Sequence, residues 1–156
     1  MLEHIHTRPD LHYSAKRLPT PSELNSNLGV FANYFDSMTI NIERPRVPLA
    51  TCRYYNGNLP ITIVNGIATV NNDCVLRIDA SITMSASDRD IIYMDVNGSE
   101  VKRTQLNSYN ISHVYNMTTL IINYTYKFSK GDTFNLRAYS EISRNVDVCV
   151  DITKLM

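Results

Sequence analysis

Charge of one sign is missing from this chain: 15 Lys and Arg residues stand against 15 Asp and Glu, and no block of like charges interrupts the balance. Such a surface offers no electrostatic footprint to a nucleic acid or an anionic membrane, so nucleic acid is not an expected partner. Long apolar runs are missing too. None approaches the roughly 20 residues that a membrane-spanning helix needs, and nothing near Met1 pairs a basic stretch with an apolar one in the manner of a secretory leader. The expectation is a chain made and folded in a cytoplasm, without membrane insertion. Cysteine is scarce: Cys52, Cys74 and Cys149 are odd in number and far apart. That excludes a disulfide framework and a zinc-site spacing, and predicts buried or half-buried thiols. Catalytic signatures are absent as well, with no nucleophile elbow, phosphate-cradling glycine loop, zinc-hydrolase helix or Cys-x-x-Cys pair. The sequence reads as a non-enzyme without a cofactor. Asn-x-Ser/Thr triplets at Asn97, Asn110, Asn116 and Asn123 follow from a composition rich in Asn, Ser and Thr and carry little weight.

What is present is enough for one core. With 156 residues, 44% of them hydrophobic, the chain suits one domain with an appendage. Residues 1–20 hold three of the four histidines, several basic residues and no sustained periodicity; they form an arm that orders only on a partner. Thr20-Pro21-Ser22-Glu23 has the form of a capping box, with Leu24, Leu28, Phe31 and Tyr34 following at helical spacing. The pattern predicts a short helix over 21–34, whose four apolar side chains either pack against its own domain or anchor the chain by docking onto a larger assembly. Residues 1–37 are thus read as arm and helix, and 38–156 as the domain. Within the arm, His4 and His6 point to one side of an extended chain. Three copies around an axis would offer six imidazole nitrogens, a geometry suited to a transition metal, against the plainer reading of freely titrating histidines.

From Met38 onward the hydrophobic period becomes two, in short segments rich in Val, Ile, Thr and Tyr. Asn65-Gly66 and Asn97-Gly98 are type I′ hairpin pairs, and Lys130-Gly131-Asp132 is a third turn signal. Cys74, Leu76, Ile78, Ala80, Ile82 and Met84 make one long apolar face. Leu120, Ile122, Tyr124, Tyr126 and Phe128 make another, and Val146, Val148, Val150 and Ile152 a last one. Seven or eight such strands predict a sandwich or barrel.

The order of these segments resembles the jelly roll of the tumour necrosis factor and complement globular-head superfamily, including versions on bacteriophage and other viral particles. The likeness runs from about Tyr54 to the C-terminus. It is carried by Ile67-Ala68-Thr69-Val70 before the long strand, Asp95-Val96-Asn97-Gly98-Ser99-Glu100-Val101, Phe128-Ser129-Lys130-Gly131-Asp132-Thr133-Phe134, and the closing Ile152-Thr153-Lys154-Leu155. The fold it implies is an all-β antiparallel jelly-roll sandwich behind an extended N-terminal arm and short helix. Asn72-Asp73-Cys74-Val75-Leu76 departs from the family's usual Gly, apolar, Tyr start to the long strand. The resemblance also implies a homotrimer, built on a sheet face that here carries Arg77, Asp79, Asn123, Lys127, Asp147 and Asp151. The residues alone place those charges in solvent.

The resulting expectation is a virion structural protein: a capsid decoration, head-fibre or receptor-binding knob at the virion surface, with a capsid or other virion protein as partner. The alternative is a carbohydrate- or receptor-binding lectin-like module, using Tyr54, Tyr55, Tyr93, Tyr109, Tyr115 or Tyr139 as platforms against a host glycan or receptor. Asp88 and Asp90 in a polar loop are candidates for calcium or sugar, with a solvated loop the preferred reading. Asp147 and Asp151, roughly 13 Å apart along one strand, are too distant to share an ion within one subunit.

Overall fold

The computed structural model describes residues 29–85, 90–105 and 117–156. In chain order the strands are β1 (Val30–Ile40), β2 (Cys52–Asn56), β3 (Ile61–Val64), β4 (Ile67–Val70) and β5 (Cys74–Ser85). They continue with β6 (Ile91–Val96), β7 (Ser99–Gln105), β8 (Met117–Phe128), β9 (Thr133–Tyr139) and β10 (Arg144–Lys154). Two five-stranded sheets result, ordered β2-β1-β10-β5-β8 and β3-β4-β9-β6-β7. Every pairing between these strands is antiparallel. The all-β sandwich expected from two-residue alternation is therefore present.

The core lies where the alternating faces meet. Leu76, Ile78, Ala80 and Ile82 of β5, Leu120, Ile122 and Phe128 of β8 and Val146, Val148, Val150 and Ile152 of β10 face Met94, Phe134, Leu136 and Ala138 of the second sheet. Burial of these branched and aromatic side chains supplies the main stabilisation, at about 1.5–3 kcal/mol for each large one removed from water. Both Asn-Gly pairs form the turns expected of them. Asn65 and Gly66 have φ of 50° and 73°, and Asn97 and Gly98 of 51° and 79°, the doubly left-handed backbone of a type I′ hairpin. At the β8–β9 turn Asp132 accepts hydrogen bonds from the Ser129 backbone N–H (2.8 Å) and from Asn97 Nδ2 (2.9 Å). Those bonds, that of Asn97 first, hold its carboxyl below the usual range.

The helix expected over 21–34 is not formed across its second half, because Val30–Ile40 is a strand paired along its whole length with β10; residues 21–28 lie outside the described residues. Val30 to Ser37, placed by sequence with the leading segment, thus belong to the sandwich. Phe31 and Phe35 lie on the outer face, Tyr34 packs half-buried against the core, and buried Asp36 accepts the Ala50 and Thr51 backbone N–H groups at 3.2 and 3.0 Å. A strand apolar on both faces, with a carboxylate turned inward, loses the two-residue signature. It keeps only the accidental i, i+3 spacing of Leu28, Phe31 and Tyr34. The long segment after β1 is pinned to the second sheet where Val47 N–H donates to the Leu136 carbonyl (2.8 Å) and Ala138 N–H to that of Pro45 (3.2 Å).

Candidate functional site

The outer face of the first sheet is built from the residues that alternate away from the core. Register sets Asn33 of β1, Asp151 of β10, Asp79 of β5 and Asn123 of β8 side by side in one row. Two carboxylates directly opposite each other on neighbouring strands repel. Here each is met by a donor: Asn33 Nδ2 donates to Asp151 at 2.7 Å, Asn123 Nδ2 to Asp79, and Arg77 Nε to Asp79 at 2.7 Å. The row is thereby held by charge-assisted bonds.

The neighbouring rows are less polar. One holds Phe35, Cys149, Ser81 and Ile121, and on the other side lies one of Phe31, Thr153, Arg77 and Thr125. Arg53 stacks on the Phe35 ring at 3.6 Å, while Tyr54 and Ile121 are 67% and 51% exposed. Farther along, Ser37 donates to Asp147 at 2.6 Å, and Thr83 and Thr119 meet at 3.2 Å. The face thus has short Asn, Asp, Ser and Thr side chains at its centre, flanked by Phe, Tyr and Ile.

All six residues expected at a subunit interface lie on this face. Asp79, Asn123 and Asp151 lie in the central row, and Arg77 reaches Asp79 from the row beside it; Asp147 sits on β10 bonded to Ser37, and Lys127 projects from β8 opposite Val75. Sequence reading missed Asn33, Phe31 and Phe35 as members, because their strand was taken for a helix. Alternation counted backward from Ile40 through Met38 would have found them.

The other expectations divide. Leu24, Leu28, His4, His6, Asp88, Tyr109 and Tyr115 lie outside the described residues, and Phe31 and Tyr34 are strand residues of β1. Asp90 is not in a solvated loop: it is fully buried, with Arg144 3.6 Å away. Cys74 is buried and Cys149 half-buried as expected, but Cys52 is exposed on the edge strand β2. Among the described residues no three His, Cys, Asp or Glu side chains come together to hold a metal.

No family model and no curated protein matches the sequence. Solved structures do match. A TNF, Eiger, from S. frugiperda superposes with a TM-score of 0.58 at 13% identity, covering 81% of this chain and 92% of that one. The globular domain of zebrafish complement 1qA gives 0.57 at 10% identity, covering 81% and 98%. The PRD1 vertex protein gives 0.56 at 10% identity, covering 81% and 97%. The fold is therefore a TNF/C1q-like jelly roll, shared with a vertex protein as well as with TNF and complement heads.

Proposed function

We propose that the chain is a virion surface protein, a capsid decoration, head-fibre or receptor-binding knob, assembled as a homotrimer through the outer face of the first sheet. The hydrogen-bonded row from Asn33 to Asn123, bordered by Phe31, Phe35 and Ile121, is the observation that carries it. Its charges are already paired within the subunit, so a second copy meets satisfied groups and not bare carboxylates. Anchoring through residues 1–28, with Leu24 and Leu28 among them, fits the same reading. Val30 pairs with Lys154, so β1 begins at the end of the sandwich where β10 finishes, and an anchor ahead of β1 would leave the opposite end to a partner outside the particle.

The solution mass tests assembly. Three times the chain mass is expected, falling to a monomer for Ser81→Arg, which sets a long cation between Cys149 and Ile121 on that face. A monomeric wild type would end the trimer. Anchoring is tested by co-sedimentation with particles of the virus that carries the protein: binding is expected, with its loss when residues 1–28 are removed, and undiminished binding by the shortened chain would refute the anchor. The second reading, a carbohydrate- or receptor-binding module independent of any particle, is favoured by the exposed Tyr54 and Tyr55, 67% and 74% accessible on an edge strand.

A further inference from the structure

The second sheet carries a basic and aromatic cluster on its outer face, toward the end away from Val30. Arg46, Arg137, Tyr93 and Arg103 follow one another across the strands. Arg44 joins them from the segment after β1, its guanidinium 6.0 Å from the Tyr93 ring and 5.8 Å from the Tyr139 ring; Arg137 lies 5.8 Å from Tyr93 on its own side. Cation–π attraction orients both guanidiniums.

These cations are not equivalent. Arg137 donates to Asp95 and to Asn135, and Arg103 makes two bonds to Glu100 at 2.9 and 2.8 Å. Arg44 makes no ion pair among the described residues and is exposed. Its backbone is left-handed, with φ of 58°, a conformation that costs a non-glycine residue free energy and is often kept where a side chain must be aimed.

Beneath it Tyr93 is only 5% exposed, and its buried hydroxyl donates to no acceptor; the one group that interacts with that oxygen is Arg44, itself a donor. A buried hydroxyl whose proton meets no acceptor is costly to keep. Burial raises the phenol above its ordinary value, against the pull of Arg44 and Arg137, so it remains protonated and able to donate.

We propose that Arg44 and Tyr93 form a binding site for a single carboxylate, that of an acidic sugar on a glycan. The Arg44 fork supplies paired N–H donors, the half-buried Tyr139 ring a surface for the sugar, and the Tyr93 hydroxyl, buried in the unliganded chain, a third donor when the Arg44 guanidinium moves onto the ligand. Asp95 and Glu100 share the face, and Glu43 adjoins Arg44 in sequence. An extended polyanion or acidic peptide meets those carboxylates, whereas a sugar with one charge places it at Arg44 and avoids them. The inference rests on the receptor-binding side of the proposed function and is independent of the trimer and the anchor.

The test is titration of the full chain with sialyllactose, followed by NMR, with lactose as the uncharged control. Binding of sialyllactose is expected, with lactose at least about tenfold weaker. Arg44→Ala should weaken binding by about tenfold or more, and Tyr93→Phe, which deletes one oxygen, by several-fold, their spectra otherwise unchanged; Lys130→Ala, at an exposed cation on the β8–β9 turn, should bind as wild type does. Comparable binding of sulfated lactose would support the same site with sulfate as the source of the anion. Equal affinity for lactose, wild-type affinity in Arg44→Ala, or binding of polyglutamate in place of any acidic sugar would overturn it. Because the solution mass is read separately, failure here and failure of the trimer are distinguishable.

Discussion

Replacing Phe128 with alanine is expected to lower the free energy of unfolding by about 3–5 kcal/mol. The ring is fully buried and joins the two sheets: from β8 it meets Tyr126 edge-on at 4.8 Å, and Phe134 of β9 at 5.2 Å. Alanine removes the ring and leaves a cavity that neither sheet can close, since β8 is paired through twelve residues with β5. In a chain of this size each kcal/mol moves Tm by about 2–4 °C, so a fall on the order of 6–20 °C is expected. Urea unfolding at fixed protein concentration measures it, the concentration being held because assembly adds to apparent stability. Phe128→Leu keeps most of the volume and should lose less than half as much. A loss under about 1 kcal/mol for the alanine variant would mean that the sheets are not packed around this ring.

The sandwich was legible wherever one strand face is apolar and the other polar. Cys74 to Ile82, Leu120 to Phe128 and Val146 to Ile152 alternate cleanly, and each lies as the alternation requires. β1 was not legible, for an electrostatic reason as much as a periodic one: Asp36 faces inward to receive the Ala50 and Thr51 N–H groups, donors some fifteen residues away that no local pattern reveals. Losing β1 hid Asn33, and with it the reason that Asp79 and Asp151 tolerate each other across β5 and β10. The burial of Asp90 was not legible either, because its partner Arg144 lies on the far side of four further strands in sequence. The Arg44 cluster depends on a left-handed residue and on a segment bridged to β9, and both are settled by tertiary contacts.

That bridged segment gives a second large effect. Gly66→Ala is expected to cost about 2–5 kcal/mol, the sum of a left-handed backbone forced on an L-residue and of overpacking. With φ of 73°, a Cβ on Gly66 would stand 2.5 Å from the Val47 carbonyl oxygen and 3.3 Å from Arg46 Cβ. The carbonyl cannot simply retreat, because Val47 N–H is bonded to Leu136 and Ala138 N–H to Pro45. Gly98 provides the comparison: its φ is 79°, but a Cβ there meets nothing within 4 Å, so Gly98→Ala should lose only the conformational part, about 1–2 kcal/mol. Equal losses in urea would show that the segment is not clamped over the turn. If it is clamped, the strain at Gly66→Ala passes along the segment that carries Arg44 and Arg46. That variant should then bind sialyllactose more weakly while still folded, and Gly98→Ala, equally left-handed but remote from the segment, should not.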